Sequence, residues 1–315
     1  LVKNRSDELL HFAFLGGEPL LNFPLLKKVV EYCKQISADT GKKFSYTITT
    51  NGTLITDNIE KYLTENKIVC QISLDGTKEK NDMNRFFRNK KGSYDVIVEK
   101  TKSMRHMNLV TARATVTPDN SDYKEIFNHL NELEFRAIPI AIAQNMVDDE
   151  QFDKILSEYI NYIFYFEELI LTKQYAKAKK MTDLVNALEK IEFGNVRNNG
   201  CGAGRTMFAV DIDGTLYPCH RFVGERKFAL GNIWTGSDNS KFLKMINVRN
   251  RDKCSKCWAQ NLCLGCCPHE NYTNTNNINL ASERSCRMAK TIYEKLISVY
   301  IKMSDEDKKM MWPED

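Results

Sequence analysis

Apolar and polar positions alternate along the first half of the chain in a way that predicts strands and helices in turn. His11 to Leu15 is a short apolar run closed by Gly16 and Gly17, and Leu20 to Ser37 carries apolar residues at helical spacing. Phe44 to Thr50 is rich in β-branched and aromatic residues and stops at Asn51 and Gly52. Ile68 to Leu74 ends at Asp75 and Gly76, Val110 to Thr117 ends at Pro118, and Ala137 to Ala143 ends near Gln144. The segments around 57–66, 93–107 and 121–134 suit intervening helices. Strand–helix units repeated at this length imply an α/β fold with a parallel sheet and right-handed crossovers, curled or doubly wound. In such folds chemistry gathers at the carboxyl ends of the strands, where the glycines and polar residues of this chain lie. Residues 149–192 read as helical throughout and bridge to a cysteine-rich second half.

Composition narrows the classes. A chain of 315 residues with 42% hydrophobic content can bury a large core, and two domains is the default expectation. The net charge of +4 is small and evenly mixed, which argues against nucleic acid or an anionic membrane surface as a partner. With no signal peptide or transmembrane run, the expected setting is a reducing cytoplasm, where disulfides are rare. Cys33 and Cys70 sit alone in apolar surroundings and read as core residues. The Asn-rich stretch from Asn271 to Asn279 reads as a solvated loop, and its Asn271–Tyr272–Thr273 glycosylation sequon has no use in a cytoplasmic protein. No internal repeat is visible.

The remaining eight of ten cysteines fall between Cys201 and Cys286. Cys201 and Cys219 bracket Gly214, with twelve residues before the glycine and four after it. Cys254, Cys257, Cys263 and Cys267 follow at CxxC, five and three residues, with Cys286 last. Thiolates at short loop spacings hold zinc or iron–sulfur clusters, because a tight turn lets two soft ligands face one metal site. A pair of zinc ribbons would use the same CxxC pairs. Seven ligands exceed one tetrahedral site, so two sites follow, one of them a ligand short unless Cys266 or a group outside the chain completes it.

GGEP at Gly16–Pro19, TTNGT at Thr49–Thr53, ISLDG at Ile72–Gly76 and the seven-cysteine grid stand in order along the chain. Together they resemble a radical S-adenosylmethionine enzyme with a SPASM (twitch-like) C-terminal extension carrying two auxiliary iron–sulfur clusters. The resemblance implies a partial (β/α)6 TIM-like barrel with its first strand missing, followed by a cysteine-rich SPASM domain. It divides the chain into a partial barrel over 1–148, a helical bridge over 149–195, the SPASM domain over 196–304 and a tail over 305–315. By analogy the backbone of Gly16, Gly17 and Glu18, with Pro19, receives the amino group of S-adenosylmethionine. Asn51, Ser73, Asp75 and Arg85 join the cofactor site, Ser73 and Arg85 toward the carboxylate and ribose, a task suited to a guanidinium fork. The family's CxxxCxxC loop, which holds a third [4Fe-4S] cluster, occurs nowhere in the 315 residues. The expectation is a chain truncated at its N-terminus and inactive until that segment is restored.

The resemblance also assigns the thiols. Cys201, Cys219 and Cys267 would hold one auxiliary [4Fe-4S] cluster, and Cys254, Cys257, Cys263 and Cys286 the other. Relatives with a fully closed first cluster carry a further cysteine about where Asn195 stands, so the first cluster would keep an open iron able to take a substrate thiolate. Cys266 competes for that place, but neighbouring residues project in different directions, which favours Cys267. Thioether-forming peptide maturases of the ranthipeptide or sactipeptide type fit best. Their substrate is a ribosomal precursor peptide, and their reductant a flavodoxin or ferredoxin. Anaerobic sulfatase maturases, which oxidise a cysteine or serine, place an aspartate after the second extension cysteine; here His220 stands there, a candidate base for a substrate thiol. A non-catalytic iron–sulfur or peptide-binding remnant is the reading from a different class.

Overall fold

The computed structural model describes residues 8–194 and 199–313, the side chain of Asn145 apart. Two compact units divide the chain, one of residues 1–185 with 304–315 and one of residues 186–303.

In the first unit β1 (Leu9–Phe14), β2 (Lys43–Thr50), β3 (Val69–Ser73), β4 (Val110–Val116) and β5 (Ile140–Ile142) form a five-stranded sheet. The strands lie in sequence order and every pairing is parallel, so of the curled and doubly wound arrangements left open by the alternation the sheet takes the curled half-barrel. Its connections carry α1 (Phe23–Thr40), α2 (Asp57–Glu65), α3 (Lys78–Asn84), α4 (Tyr94–Lys100), α5 (Lys102–His106) and α6 (Tyr123–Glu132). The two faces of the sheet differ. One is apolar, with Tyr46, Ile48, Cys70, Ile72, Ala112, Ala114 and Val116 buried, as a sheet covered by helices requires. The other is polar, its rows pairing His11 with Ser45, Thr49 with Gln71 and Ser73 with Arg113. His11 bonds Ser45 Oγ and Thr47 Oγ1, both at 2.9 Å.

Local chemistry sets the element ends, and twice moves them from the expected positions. The helix expected from Leu20 begins at Phe23, because Pro19–Asn22 forms a 3-10 turn and Asn22 then caps α1. It runs on to Thr40, where Gly41 at φ 72° closes it with its N–H on the Ser37 carbonyl. Leu26, Val30, Cys33 and Ile36 form its buried stripe. The strand expected from Ala137 shrinks to three residues: Pro139 has no N–H to give, and Ile138 N–H turns to Lys180 O at 2.8 Å.

The expected bridge is three helices, α7 (Asp149–Leu171), α8 (Tyr175–Ala178) and α9 (Thr182–Glu192). A capping box of Asp148 and Gln151 starts α7. The division between the units falls within α9, so by compactness most of the bridge groups with the sheet. There Tyr159 OH donates to Asp183 Oδ2 at 3.1 Å, and Tyr123 and Tyr162 pack beside Tyr159. Burial of Asp183 pushes its carboxyl up to about 6.

The second unit carries a small antiparallel sheet of β6 (Ala209–Val210), β7 (Thr215–Tyr217), β8 (Gly231–Asn232) and β9 (Gly236–Ser237). Tyr217, Phe222, Phe228 and Phe242 centre its core. Short helices follow: α10 (Ser240–Ile246), α11 (Asp252–Ser255), α12 (Gln260–Cys263), α13 (Pro268–Thr275) and the long α14 (Glu283–Lys302). The stretch expected as a solvated Asn-rich loop is in large part α13. Asn271 within it is fully buried, and its amide donates to Gly265 O at 2.9 Å and Ile278 O at 3.3 Å. An asparagine with two carbonyls to bridge earns burial that composition does not reveal. The final helix, α15 (Asp305–Met311), belongs to the first unit, where the buried Asp307 meets Lys173 Nζ and Tyr175 OH, both at 2.7 Å.

Candidate functional site

At the carboxyl ends of β1 to β3 carboxylates organise the three sequence motifs, Glu18 tying GGEP to TTNGT and Asp75 ordering the loop of ISLDG. Glu18 of GGEP accepts from Leu20 N at 3.1 Å, Thr50 Oγ1 at 2.7 Å and Asn51 N at 2.8 Å. One side chain therefore joins the loop after β1 to the loop after β2. Gly16 has φ 154° and no atom within 4 Å of where a Cβ would stand, so the GGEP backbone has open space beside it. Asn51 Oδ1 folds back onto Thr53 N and Oγ1, fixing TTNGT.

The loop after β3 is organised by Asp75, 4% exposed. Its carboxylate receives Arg85 Nε at 2.6 Å and Nη2 at 3.1 Å, and Thr115 N at 2.8 Å. Arg85 is thus held in a bidentate pair with Asp75, and its expected place on the cofactor carboxylate has to be reached from that pair. Ser73, at the end of β3, pairs in register with Arg113.

In the second unit the structure sorts the thiols into two groups. Cys254, Cys257, Cys263 and Cys286 all line one cavity of about 580 Å³, the set expected for a single site. Cys266 lines it too. Burial raises the thiols of Cys254 and Cys286, and neighbouring Cys263 raises both further. Cys263 itself is pushed down, first by a hydrogen bond from the Cys266 thiol and then by N–H groups of Cys266 and Gly265. The same sulfur–sulfur bond pushes Cys266 up. Arg251, 4% exposed, spans this group: it faces the Cys254 sulfur, Nη1 donates to Gly265 O at 2.8 Å and Nη2 to Ile246 O at 3.0 Å.

Cys201, Cys219 and Cys267 form the other group. Burial raises the thiols of Cys201 and Cys219, and Cys267 acts electrostatically on both. Backbone N–H groups of Ala203 reach Cys201, and those of Arg221 and Phe222 reach Cys219. Such donors suit thiolate and cluster sulfur. Arg221 adds a cation, with Nη1 at 3.4 Å from Cys267 Sγ and 2.8 Å from Glu270 Oε1. Cys266 has turned to the other cavity, so of the adjacent pair Cys267 is the one in this group. Asn195, the residue at the expected fourth position, lies outside the described residues.

The donor chemistry fits iron–sulfur clusters. Thiols with backbone N–H groups and arginines beside them suit the sulfur-rich, anionic surface of such a cluster. His220 follows Cys219 in a 3-10 turn, on the exposed side of the first group. Sequence reasoning missed Arg221, Arg251 and the side on which Cys266 falls. The two arginines stood two residues after Cys219 and three before Cys254 in the sequence, next to thiols that need a counter-charge.

Comparison with known proteins identifies two family regions in the chain. The profile of the radical SAM superfamily matches residues 2–133, and that of the SPASM iron–sulfur cluster-binding domain matches residues 201–258. A cysteine-type anaerobic sulfatase-maturating enzyme of Clostridium novyi is 27% identical over 94% of this chain and 82% of its own length. A radical SAM cyclopropyl synthase of Paramaledivibacter caminithermalis is 23% identical over 94% of this chain and 62% of its own. Native anSMEcpe, solved with bound AdoMet and a Kp18Cys peptide, superposes with a TM-score of 0.77 at 23% identity, covering 95% of this chain and 88% of that one.

Proposed function

Because this chain belongs to the radical S-adenosylmethionine enzymes with a SPASM domain, whose cofactors are S-adenosylmethionine and [4Fe-4S] clusters, we propose that it is a peptide maturase forming a thioether. In this reading it joins a cysteine sulfur of a ribosomal precursor peptide to an acceptor carbon of the same peptide. The observation that carries the reading is the three-thiol group of Cys201, Cys219 and Cys267, from which Cys266 has turned away. Three protein thiolates leave one corner of a four-iron cluster for a thiol from the substrate.

When bound, the cofactors supply a carbon-centred radical and an acceptor for one electron. The protein's residues do the positioning. The open GGEP backbone at Gly16 and Gly17, with Pro19, Asn51 and Ser73, holds the cofactor at the strand ends, while Glu18 and Asp75 keep those loops in register. Arg85 serves the same site from its pair with Asp75. Arg221 offsets negative charge at the first thiol group, and His220 takes the proton of the incoming thiol. The peptide gives up one hydrogen atom from carbon, one proton from sulfur and one electron, and gains a carbon–sulfur bond. A flavodoxin or ferredoxin supplies the reducing electron, and the cytoplasm is the setting that free thiols require.

A second reading follows from the Clostridium novyi relative, named for sulfatase maturation: oxidation of a peptide cysteine to an aldehyde. His220 in place of that group's aspartate weighs against it. Mass spectrometry separates the two. The protein, reconstituted without oxygen and given its precursor peptide, is expected to yield a product two hydrogens lighter that keeps its sulfur and resists thiol alkylation. Loss of the sulfur with gain of a carbonyl would overturn the thioether reading.

A further inference from the structure

The second thiol group is crowded. A four-iron cluster has one terminal ligand position at each iron, yet Cys254, Cys257, Cys263, Cys266 and Cys286 line the same cavity. The surplus is concentrated at one corner. Cys263 Sγ and Cys266 Sγ lie 3.4 Å apart, in mutual hydrogen-bonding contact. Two sulfurs this close reach the same iron by a small side-chain rotation, and both cannot ligate it.

The backbone between them is built for this approach. Leu264, Gly265 and Cys266 have φ of 55°, 80° and 62°, successive left-handed residues that reverse the chain straight after Cys263 at the end of α12. For leucine and cysteine that conformation is uncommon and strained. The strain is held from both sides. Gly265 O accepts from Arg251 Nη1 at 2.8 Å and from Asn271 Nδ2 at 2.9 Å, and both donors are buried. A Cβ on Gly265 would stand 2.5 Å from Arg251 Nη1, so only glycine fits. Relaxing the turn would carry Cys266 Sγ away from Cys263 Sγ.

We propose that Cys263 and Cys266 together make one ligand position of the second auxiliary cluster. Either sulfur binds the iron, and the other donates an S–H hydrogen bond to it. The inference rests on reading this cavity as a [4Fe-4S] site. It makes the position tolerant of losing one thiol and sets the charge on the ligating sulfur, since a hydrogen bond to a cluster thiolate raises the reduction potential.

Iron content and potential test it without recourse to activity. The protein is reconstituted without oxygen as parent, Cys254→Ser, Cys263→Ser, Cys266→Ser and the Cys263→Ser/Cys266→Ser double variant, with far-ultraviolet circular dichroism as the folding check. The parent and both singles at the pair are expected to hold about eight irons, and the double variant and Cys254→Ser about four. Cys266→Ala, with no donor left, is expected to lower the potential of the second cluster. A Cys263→Ser variant that drops to about four irons while the parent keeps about eight overturns the shared position. A parent that never takes up the second four irons overturns the cluster reading itself, and the proposal with it.

Discussion

In the first unit the loops that carry chemistry are tied by acids, the part-exposed Glu18 and the buried Asp75, whereas in the second arginines, the exposed Arg221 and the buried Arg251, stand beside the thiols. Glu18 gathers backbone and hydroxyl donors from two strand-end loops, and Asp75 gathers Arg85 and the Thr115 N–H. Across the thiol groups the direction reverses: Arg221 points at Cys267, and Arg251 points at Cys254 and the Gly265 carbonyl. The difference follows from what each site binds. An amino acid cofactor arrives with an ammonium and needs open backbone acceptors beside it, so the acids serve as internal ties. Thiolates and clusters are anionic and pull cations toward themselves.

The sharpest way to break this comparison is to remove a thiol from each group. Cys267→Ala is expected to lose the first cluster, about half of the iron of a protein holding two four-iron clusters, while Cys266→Ala loses none; iron assay on the reconstituted protein checks both. Equal losses would mean that the thiols do not divide as described. Next in size is Arg251→Leu. It strands the Ile246 carbonyl and removes one of two donors at Gly265, a cost of about 3 kcal/mol to the second unit, read by urea unfolding of the metal-free protein.

The smallest effect tests the acids. Asp183 has its carboxyl raised to about 6 by burial, so its contribution is fully present below the unfolded value near 3.8 and is lost as pH rises through 6. Asp183→Asn keeps an acceptor for Tyr159 and removes the ionisation. The variant is expected to gain about 2 kcal/mol over the parent at pH 7 and almost nothing at pH 4, measured by urea unfolding at both. A gain that is the same at both values would show that burial of charge is not what Asp183 contributes.

Much of the fold was legible because it rests on local rules. Glycines and asparagines after β-branched runs mark the sheet, and the cysteine spacing points to two thiol groups. What escaped depended on contacts between distant residues. Pro139 shortens β5 because a neighbouring segment takes the Ile138 N–H, and Asn271 is buried because two carbonyls converge on it. Arg85 looked like a residue awaiting a ligand, and its pair with Asp75 depends on how the turn after β3 folds back. That Cys266 and Cys267 point apart followed from their adjacency, but the three left-handed residues that set Cys266 beside Cys263 are encoded by no spacing rule.

The central claim is that the first thiol group leaves an iron position for a substrate thiol. It is tested most directly by hyperfine spectroscopy on the reduced first cluster of the protein, with a peptide whose cysteine Cβ carries deuterium. Deuterium coupling to the cluster spin, absent when serine replaces that cysteine, is the predicted result. A cluster signal with no deuterium coupling at saturating peptide would contradict it.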